Sequence, residues 1–179
     1  MVFYYFDTET TSNEPTEAEL ITIQYQRLGN YDFHPTGPLE ILKCWEMSEK
    51  EMLLAFAPKF VRWEFIPVGQ NLRYDYVVLD RRIEANGLRE AFIPKTLEAI
   101  LDFPDWDAKY GMVMMNGLSY IGYDKVAGGP KGDSKLAAQY IAAKDWPRLE
   151  QYIHDEHEAF IAFVNRAKIQ LQGDGSVKS

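Results

Sequence analysis

The apolar residues of this chain fall into two alternating kinds of segment, and this alternation constrains the fold more than any other feature. Short runs rich in Ile, Val, Tyr and Phe have the length and composition of β-strands. Other segments carry apolar residues at intervals of three and four, which is typical of amphipathic helices. Strands are predicted at 2–6, 20–28, 39–45, 65–68 and within 91–102, and helices at 48–62, 72–85, 134–143 and 145–171. Strands that alternate with helices indicate an α/β domain with a mixed sheet.

Signals for helix ends support these predicted helices. Ser48 and Glu51 have the spacing of a capping box, in which each side chain accepts a hydrogen bond from the other residue's backbone. Gly87 is expected to stop the second helix, because glycine adopts the left-handed backbone of a helix C-terminus without strain. Asp145 is expected to cap the last helix, since it stands two residues before Pro147 and proline is favoured in a first helical turn.

Length and composition limit the kinds of protein that this chain can be. Its 179 residues fit one domain with a substantial buried core. We expect a single domain over 1–172 and a flexible tail over 173–179, where the apolar periodicity is lost. The formal net charge of −8 argues against a broad surface for duplex DNA, although it allows a local groove for a few terminal nucleotides.

Cysteine content and hydropathy bear on the cellular compartment. The chain has one cysteine, Cys44, so an internal disulfide is excluded, and its apolar neighbours favour a small core residue. No apolar run approaches the roughly 20 residues that span a bilayer. The first residues lack the basic stretch that precedes the apolar part of a signal peptide. These features predict no membrane association and a cytoplasmic protein.

Two acidic residues directly follow the first apolar run. Residues two apart on a strand point to the same face of a sheet, so Asp7 and Glu9 present paired carboxylates. Such a pair repels unless a cation lies between the two groups, and hard cations such as Mg²⁺ and Mn²⁺ prefer oxygen ligands. The pattern therefore indicates a metal site, with a solvated strand end as the alternative that these residues leave open.

A second polar segment follows the strand predicted at 65–68. If a helix begins near Asn71, then Asn71 and Asp75 lie on one helical face at a spacing of four residues. The alternative is an asparagine cap with an exposed acid one turn into the helix. This segment does not decide between the two interpretations by itself.

The two segments together resemble a known family. Phe-Asp-Thr-Glu-Thr at 6–10 and Asn-Leu-Arg-Tyr-Asp at 71–75 closely resemble the first two motifs of the DEDD exonuclease superfamily. This superfamily contains the proofreading 3′→5′ exonucleases of DNA polymerases and related ribonucleases. The resemblance implies a ribonuclease-H-like fold, which is a mixed β-sheet flanked by α-helices, in agreement with the α/β prediction.

The third motif of the superfamily lies on a late helix. One form places a tyrosine four residues before the last metal-binding aspartate, and Tyr152 fits this form. The histidine form fits poorly, since neither His154 nor His157 has an aspartate five residues later. Glu156 stands where the family has aspartate. Glu156 is the expected fourth ligand because it shares the face of Tyr152, and Asp155 is the alternative.

What the resemblance implies about activity is specific. It implies a 3′→5′ exonuclease, a phosphodiester hydrolase that releases nucleoside 5′-monophosphates from single-stranded DNA or RNA 3′ ends. Two divalent cations, Mg²⁺ or Mn²⁺, are expected as cofactors, with Asp7, Glu9, Asp75 and Glu156 as their ligands. Tyr152 is expected to orient the attacking water, since a phenol with an ordinary pKa of about 10 is a poor base.

Substrate and partner contacts are a further expectation. Thr8, Asn71 and Tyr74 adjoin the expected metal ligands and are candidates for contacting the terminal nucleotides. A polymerase or a repair protein is a candidate partner, and a domain that acts alone is the alternative. Neither the choice between DNA and RNA nor the oligomeric state follows from these residues.

Two other interpretations remain open at this point. The first is a catalytically impaired relative that binds nucleic acid or a partner protein, and Glu156 in place of aspartate is the feature that favours it. The second is an unrelated α/β protein in which the motifs are coincidental. Thermal stabilisation by Mg²⁺ or Mn²⁺ separates the second from the others, because an ion that binds the native state raises its stability.

Overall fold

The computed structural model describes residues 2–29, 33–61, 65–92, 105–109 and 134–172, without the side chains of 134 and 166–172. These residues form two compact units. The first contains the described residues up to Leu28 and from Pro35 to Asp107, and the second contains those at 29, 33–34 and from Ala108 onward. The single domain expected over 1–172 stays a prediction. The tail expected at 173–179 lies outside the described residues.

The first unit contains a mixed sheet, which confirms the predicted α/β fold class. Its described strands lie in the order β3-β2-β1-β4-β5. Strands β1 and β2 are antiparallel, as are β2 and β3, whereas β1 with β4 and β4 with β5 are parallel. The bounds are β1 Val2–Thr10, β2 Leu20–Arg27, β3 Glu40–Lys43, β4 Phe65–Gly69 and β5 Trp106–Asp107.

Two helices pack against this sheet within the first unit. Helix α1 spans Glu49–Phe60 and helix α2 spans Leu72–Ala85, close to the predicted bounds. The capping box of α1 is present in both directions between Ser48 and Glu51. Gly87 has a φ of 67°, the left-handed conformation expected just after the end of α2.

Aromatic side chains form the core between the sheet and α1. Phe6 stacks on Phe56 with ring centroids 5.5 Å apart, and Phe60 and Phe65 complete the cluster with tilted and edge-on contacts. All four are almost completely buried. Burial of one such side chain contributes about 1.5–3 kcal/mol to folding, so this cluster anchors β1 beneath α1.

Some predicted strand bounds differ from the structure. Strand β1 continues to Thr10 instead of ending at 6, because backbone pairing with β2 carries it through the acidic residues. Strand β3 is shorter than the predicted 39–45, since Cys44 already belongs to a turn. For the strand predicted within 91–102, Arg89–Phe92 form a 3₁₀ turn, and 93–102 lie outside the described residues.

The second unit contains helices α3, Ser134–Ala143, and α4, Trp146–Gln172, as predicted. Lys144 has a φ of 53° between them. A carboxylate oxygen of Asp145 lies 3.4 Å from the backbone nitrogen of Arg148, in the position of an N-cap. Among the helices of the described residues, none has the length and apolar character required to cross a membrane.

Candidate metal site at the end of the first strand

Asp7 and Glu9 lie side by side on one face of β1. In the register with β2, Asp7 is opposite Gln24 and Glu9 is opposite Thr22. A carboxylate oxygen of Asp7 and one of Glu9 lie within 4.8 Å of each other, and both residues are half-buried. Two like charges at this separation repel each other, and a cation between them relieves the repulsion.

The face of β2 that lies opposite these acids is polar and buried. Thr22 and Gln24 have no exposed surface, and Gln26 is 6% exposed. They alternate with Ile23 and Tyr25, whose side chains belong to the apolar core on the other face. A buried amide needs hydrogen-bond partners to offset the loss of water, so these side chains are expected to have specific contacts.

Gln24 makes two such contacts. Its Oε1 accepts a hydrogen bond of 2.9 Å from the Thr22 hydroxyl, and its Nε2 lies 3.4 Å from Asp7 Oδ2. The Tyr5 hydroxyl lies 3.4 Å from the same Asp7 oxygen. Because the Thr22 contact directs the amide oxygen away from Asp7, the amide donor faces the carboxylate. Sequence reasoning missed Gln24, although polar residues alternating through an otherwise apolar strand were a detectable signal.

Asp75 is connected to the segment between the two acids. It lies in the first turn of α2, is 3% exposed, and accepts a hydrogen bond of 2.6 Å from the Thr8 hydroxyl. The pKa of Asp75 is raised to about 7, chiefly by burial; hydrogen bonds from Thr8 lower it and the nearby Asp107 carboxylate raises it further. The alternative of an exposed acid at this position is therefore wrong, because Asp75 is buried.

Gly69 permits the close approach of β4 to β1 just before Asp7. A Cβ atom at this position would lie 2.5 Å from the Phe6 carbonyl oxygen and 2.5 Å from a methyl carbon of Leu72. Any larger residue would therefore displace the backbone of β1 at Phe6 and the side chain of Leu72. Because α2 carries Asp75, glycine here sets the position of that acid relative to β1.

The backbone N–H groups at the N-terminus of α2 donate hydrogen bonds to a carboxylate of β5. Asn71 has a φ of 59°, and its backbone N–H donates to Asp107 Oδ1 at 2.8 Å. The N–H of Leu72 donates to Asp107 Oδ2 at 3.0 Å. A carboxylate at this end of a helix is favoured by the helix dipole as well as by the hydrogen bonds. Sequence reasoning missed Asp107, since nothing local to the helix indicates it.

Tyr74 contacts the end of β1. Its hydroxyl lies 2.6 Å from Thr10 Oγ1 and donates a hydrogen bond to the Ser12 carbonyl oxygen. Burial, opposed by the Thr10 hydrogen bond, raises the pKa of Tyr74, so the group is a neutral phenol at neutral pH. These contacts fix the chain just after Glu9. The substrate contacts expected of Thr8, Asn71 and Tyr74 stay predictions.

The residues of the third motif lie on α4 of the second unit. Tyr152 is 6% exposed and Glu156, one turn later, is half-buried. Asp155 is exposed and accepts a hydrogen bond of 2.8 Å from Gln151 Nε2. Burial, with a contribution from nearby His154, lowers the pKa of His157 to about 4. The roles expected of Tyr152, Glu156 and Asp155 stay predictions.

Solved structures of exonuclease I have a similar fold. A zinc-bound complex of E. coli exonuclease I with single-stranded DNA has a TM-score of 0.59 and 14% identity, covering 98% of this chain and 41% of that chain. A complex of exonuclease I with the inhibitor BCBP has a TM-score of 0.52 and 17% identity, covering 86% and 43%. A complex of exonuclease I with SSB-Ct has a TM-score of 0.51 and 16% identity, also covering 86% and 43%.

These similarities establish the ribonuclease-H-like fold expected from the motifs. This chain spans less than half the length of the exonuclease I chains that it matches. No family model and no curated protein matches its sequence.

Proposed function

We propose that this chain is a metal-dependent 3′→5′ exonuclease that hydrolyses single-stranded nucleic acid ends to nucleoside 5′-monophosphates. One observation carries the proposal. The half-buried carboxylates of Asp7 and Glu9 lie together on β1, and the buried Asp75 is hydrogen-bonded to Thr8 between them. The similarity to exonuclease I supports the proposal, because that fold is shared with an enzyme whose solved structures include a complex with single-stranded DNA.

The Asp7 and Glu9 carboxylates fit a divalent cation. Oxygen ligands lie about 2.0–2.6 Å from Mg²⁺ or Ca²⁺, so two ligands of one ion lie at most about 4–5 Å apart. The separation of up to 4.8 Å between Asp7 and Glu9 oxygens is within that range. Both groups are hard oxygen donors, which favours Mg²⁺ or Mn²⁺ over softer metals.

The proposed ligands are Asp7, Glu9 and Asp75 from the first unit and Glu156 from α4. When bound, the divalent cations supply an activated water and offset the negative charge that develops at the phosphate. Gln24 donates a hydrogen bond to Asp7 and limits the rotation of its carboxylate. Thr8 holds the carboxylate of Asp75 in the same way.

The described contacts on α4 favour Glu156 over Asp155 as the fourth ligand. Asp155 is exposed, whereas Glu156 is half-buried one helical turn after Tyr152. Residues four apart share a helical face, so Tyr152 and Glu156 act on the same side of α4. In this proposal the Tyr152 hydroxyl orients the attacking water.

The proposed substrate is the 3′ end of a single strand. The exonuclease I complexes contain single-stranded DNA in one case and SSB-Ct in another, which supports single-stranded DNA as the first substrate to test. The net charge of −8 argues against a broad surface for duplex DNA and allows a local groove for a few terminal nucleotides. Thr8, Asn71 and Tyr74 are the proposed contacts to those nucleotides, and a polymerase or repair protein is the proposed partner.

Digestion of labelled oligonucleotides tests this function. Single-stranded DNA and RNA, labelled at the 3′ or the 5′ end, are incubated with the protein in Mg²⁺, Mn²⁺ or EDTA. We expect metal-dependent shortening from the 3′ end, which Asp75→Asn abolishes. Asp80→Asn is the matched control, because Asp80 is a buried acid on the same helix that pairs with Arg89.

The outcomes separate the proposed enzyme from its alternatives. The exonuclease is supported if the wild type and Asp80→Asn shorten the oligonucleotide from the 3′ end and Asp75→Asn does not. The substrate that is shortened then shows whether the enzyme prefers DNA or RNA. A folded protein that binds oligonucleotides without cutting them in any metal contradicts the enzyme and favours a non-catalytic binding module. Equal activity of wild type and Asp75→Asn would show that Asp75 is not a metal ligand.

A further inference from the structure

A cavity lined by both polar and apolar groups lies in the first unit, away from the carboxylates of the candidate metal site. It has a volume of about 290 Å³, close to the lower end of the roughly 300–1,000 Å³ typical of small-ligand pockets. Its walls come from Tyr4 of β1, Tyr25 and Arg27 of β2, the segment 36–40 and Lys59 of α1. The cavity is therefore built by several elements that the sheet and α1 hold together.

Sheet geometry separates this cavity from the metal site. Tyr4 is opposite Arg27 in the β1–β2 register, and Phe6 is opposite Tyr25, so these side chains share the α1 face of the sheet. Asp7 is odd-numbered on the same strand and points to the other face. It also lies three residues beyond Tyr4, a distance of about 10 Å along a strand. A ligand in the cavity cannot contact the Asp7–Glu9 pair directly.

Several hydrogen-bond donors line the cavity without a partner among the residues that the structure describes. Arg27 and Lys59 are exposed at the mouth of the cavity, and in the described part of the chain their charged groups make no hydrogen bond and no ion pair. The hydroxyls of Tyr4 and Tyr25 make no hydrogen bond to a described residue either. Burial raises the pKa of Tyr25, and the nearby Glu40 and Tyr4 raise it further, so this hydroxyl stays protonated as a donor.

Most acceptors at the rim are already used. The Arg27 carbonyl oxygen accepts hydrogen bonds from the backbone N–H and the hydroxyl of Thr36, at 2.9 and 3.2 Å. The Gly37 carbonyl oxygen accepts from Gln26 Nε2 at 2.8 Å. Among the described residues of the wall, Glu40 is the one acidic side chain. The cavity therefore offers two cations and two hydroxyl donors against a single carboxylate.

We propose that this cavity binds a small phosphomonoester whose alcohol part carries a hydroxyl or amino donor, and adenosine 5′-monophosphate is the probe for this class. A phosphate carries about −1.5 to −2 charges and three acceptor oxygens, which match two cations and two hydroxyls better than a carboxylate does. Glu40 lies beside these donors and accepts a hydrogen bond from a ligand hydroxyl or amino group. Inorganic phosphate has no separate hydroxyl or amino group that could donate to Glu40 while its oxygens accept from the cations. The cavity also has room for a molecule larger than phosphate.

Titration of the full chain in EDTA tests this site without engaging the metal ligands. Inorganic phosphate, adenosine 5′-monophosphate and adenosine are each titrated by calorimetry. We expect the monophosphate to bind about tenfold more tightly than phosphate, and adenosine to show no binding at about 10 mM. Arg27→Gln and Lys59→Gln are each expected to weaken the monophosphate about tenfold, since each removes a charge-assisted contact.

Three matched variants sharpen the test. Lys50→Gln removes an exposed cation from the same helix as Lys59 and should leave binding unchanged. Glu40→Gln should increase the affinity for inorganic phosphate and reduce the ratio by which the monophosphate binds more tightly. Asp7→Asn should bind the monophosphate like the wild type, so this result does not depend on whether the chain is a nuclease.

Specific results would overturn the site. If neither inorganic phosphate nor adenosine 5′-monophosphate binds the wild-type protein, the cavity is not a phosphomonoester site. An equal loss of affinity for the monophosphate in Lys50→Gln and Lys59→Gln would show that binding depends on the overall charge of the protein and not on this cavity. A loss in Asp7→Asn would assign binding to the metal site instead.

Discussion

The two faces of the β1–β2 pair differ sharply in chemistry although they are built from the same two strands. On one face, Phe6 and Tyr25 pack against Phe56 of α1 in an apolar core. On the other face, Asp7 lies opposite Gln24, and the side chains there are polar and still largely buried. Alternation along a strand lets one segment serve both purposes, because successive side chains point to opposite faces.

Residues that stabilise the fold and residues proposed to bind the metal therefore alternate within a few positions of the same strand. The apolar face removes hydrocarbon from water and contributes stability. The polar face brings two like charges together, which costs stability unless a cation binds. A substitution on the apolar face of β1 should therefore lower the free energy of unfolding, whereas a substitution at the next residue, on the polar face, should lower the metal-dependent activity.

Asp7→Asn is expected to have the largest effect, on activity. Loss of a proposed metal ligand should reduce hydrolysis by at least about a thousandfold, which corresponds to about 4 kcal/mol. The same change removes repulsion from Glu9, so the metal-free protein should unfold at an equal or higher temperature. Oligonucleotide digestion and thermal unfolding in EDTA measure the two effects. A less stable Asp7→Asn protein that remains active would show that the polar face serves folding.

Phe6→Ala, at the preceding position, is expected to have the converse effect. Phe6 is completely buried between Phe56, Phe60 and Phe65, so its truncation leaves a cavity and costs about 3–4 kcal/mol of unfolding free energy. Denaturant unfolding measures this loss, with Phe6→Leu as a milder control that keeps most of the volume. A loss below about 1 kcal/mol for Phe6→Ala would contradict the assignment of this face to the core.

Gln24→Met and Gln26→Met compare two buried glutamines on the same face of β2. Gln24 donates towards the Asp7 carboxylate, whereas Gln26 donates to the Gly37 carbonyl oxygen. A group that orients a metal ligand typically affects metal affinity by about 10–100-fold. We therefore expect Gln24→Met to weaken Mn²⁺ binding about tenfold and Gln26→Met to leave it unchanged. Thermal stabilisation as a function of Mn²⁺ concentration measures both, and equal affinities would contradict a positioning role for Gln24.

Features with a local cause could be predicted from the sequence. The capping box between Ser48 and Glu51 and the end of α2 at Gly87 depend on residues a few positions apart, and the structure contains both. The mixed α/β fold also followed from the order of strands and helices. The same alternation placed Asp7 and Glu9 on one face of a strand.

Features with a cause distant in sequence could not be predicted. Strand β1 extends through its acids because β2 pairs with them, and propensity at residues 7–10 does not contain that information. Asp107 reaches the N-terminus of α2 across more than thirty residues, and the need for Gly69 arises from the Phe6 carbonyl oxygen. The role of Glu156 stays a prediction for the same reason, since it depends on how distant segments meet.

Glu49→Gln should have the smallest effect, and it tests a charge on the apolar side of the sheet. Burial raises the pKa of Glu49, but hydrogen bonds from Arg82, Asn86 and the Leu20 N–H outweigh it, so the net pKa is lowered. A lowered folded-state pKa gives stability that is present above the unfolded pKa of about 4.3 and lost as pH falls through the folded value.

The wild type should therefore exceed Glu49→Gln in stability at neutral pH by about 1 kcal/mol, a modest value because solvent reaches part of the ion pair. The difference should disappear on acidification below the folded pKa, since both proteins then carry an uncharged group at this position. Urea unfolding of both proteins at several pH values measures this difference, because the other carboxylates contribute equally to the two proteins and their effect cancels. A difference that persists in acid would mean that shape and hydrogen bonding at Glu49 matter, and not its charge.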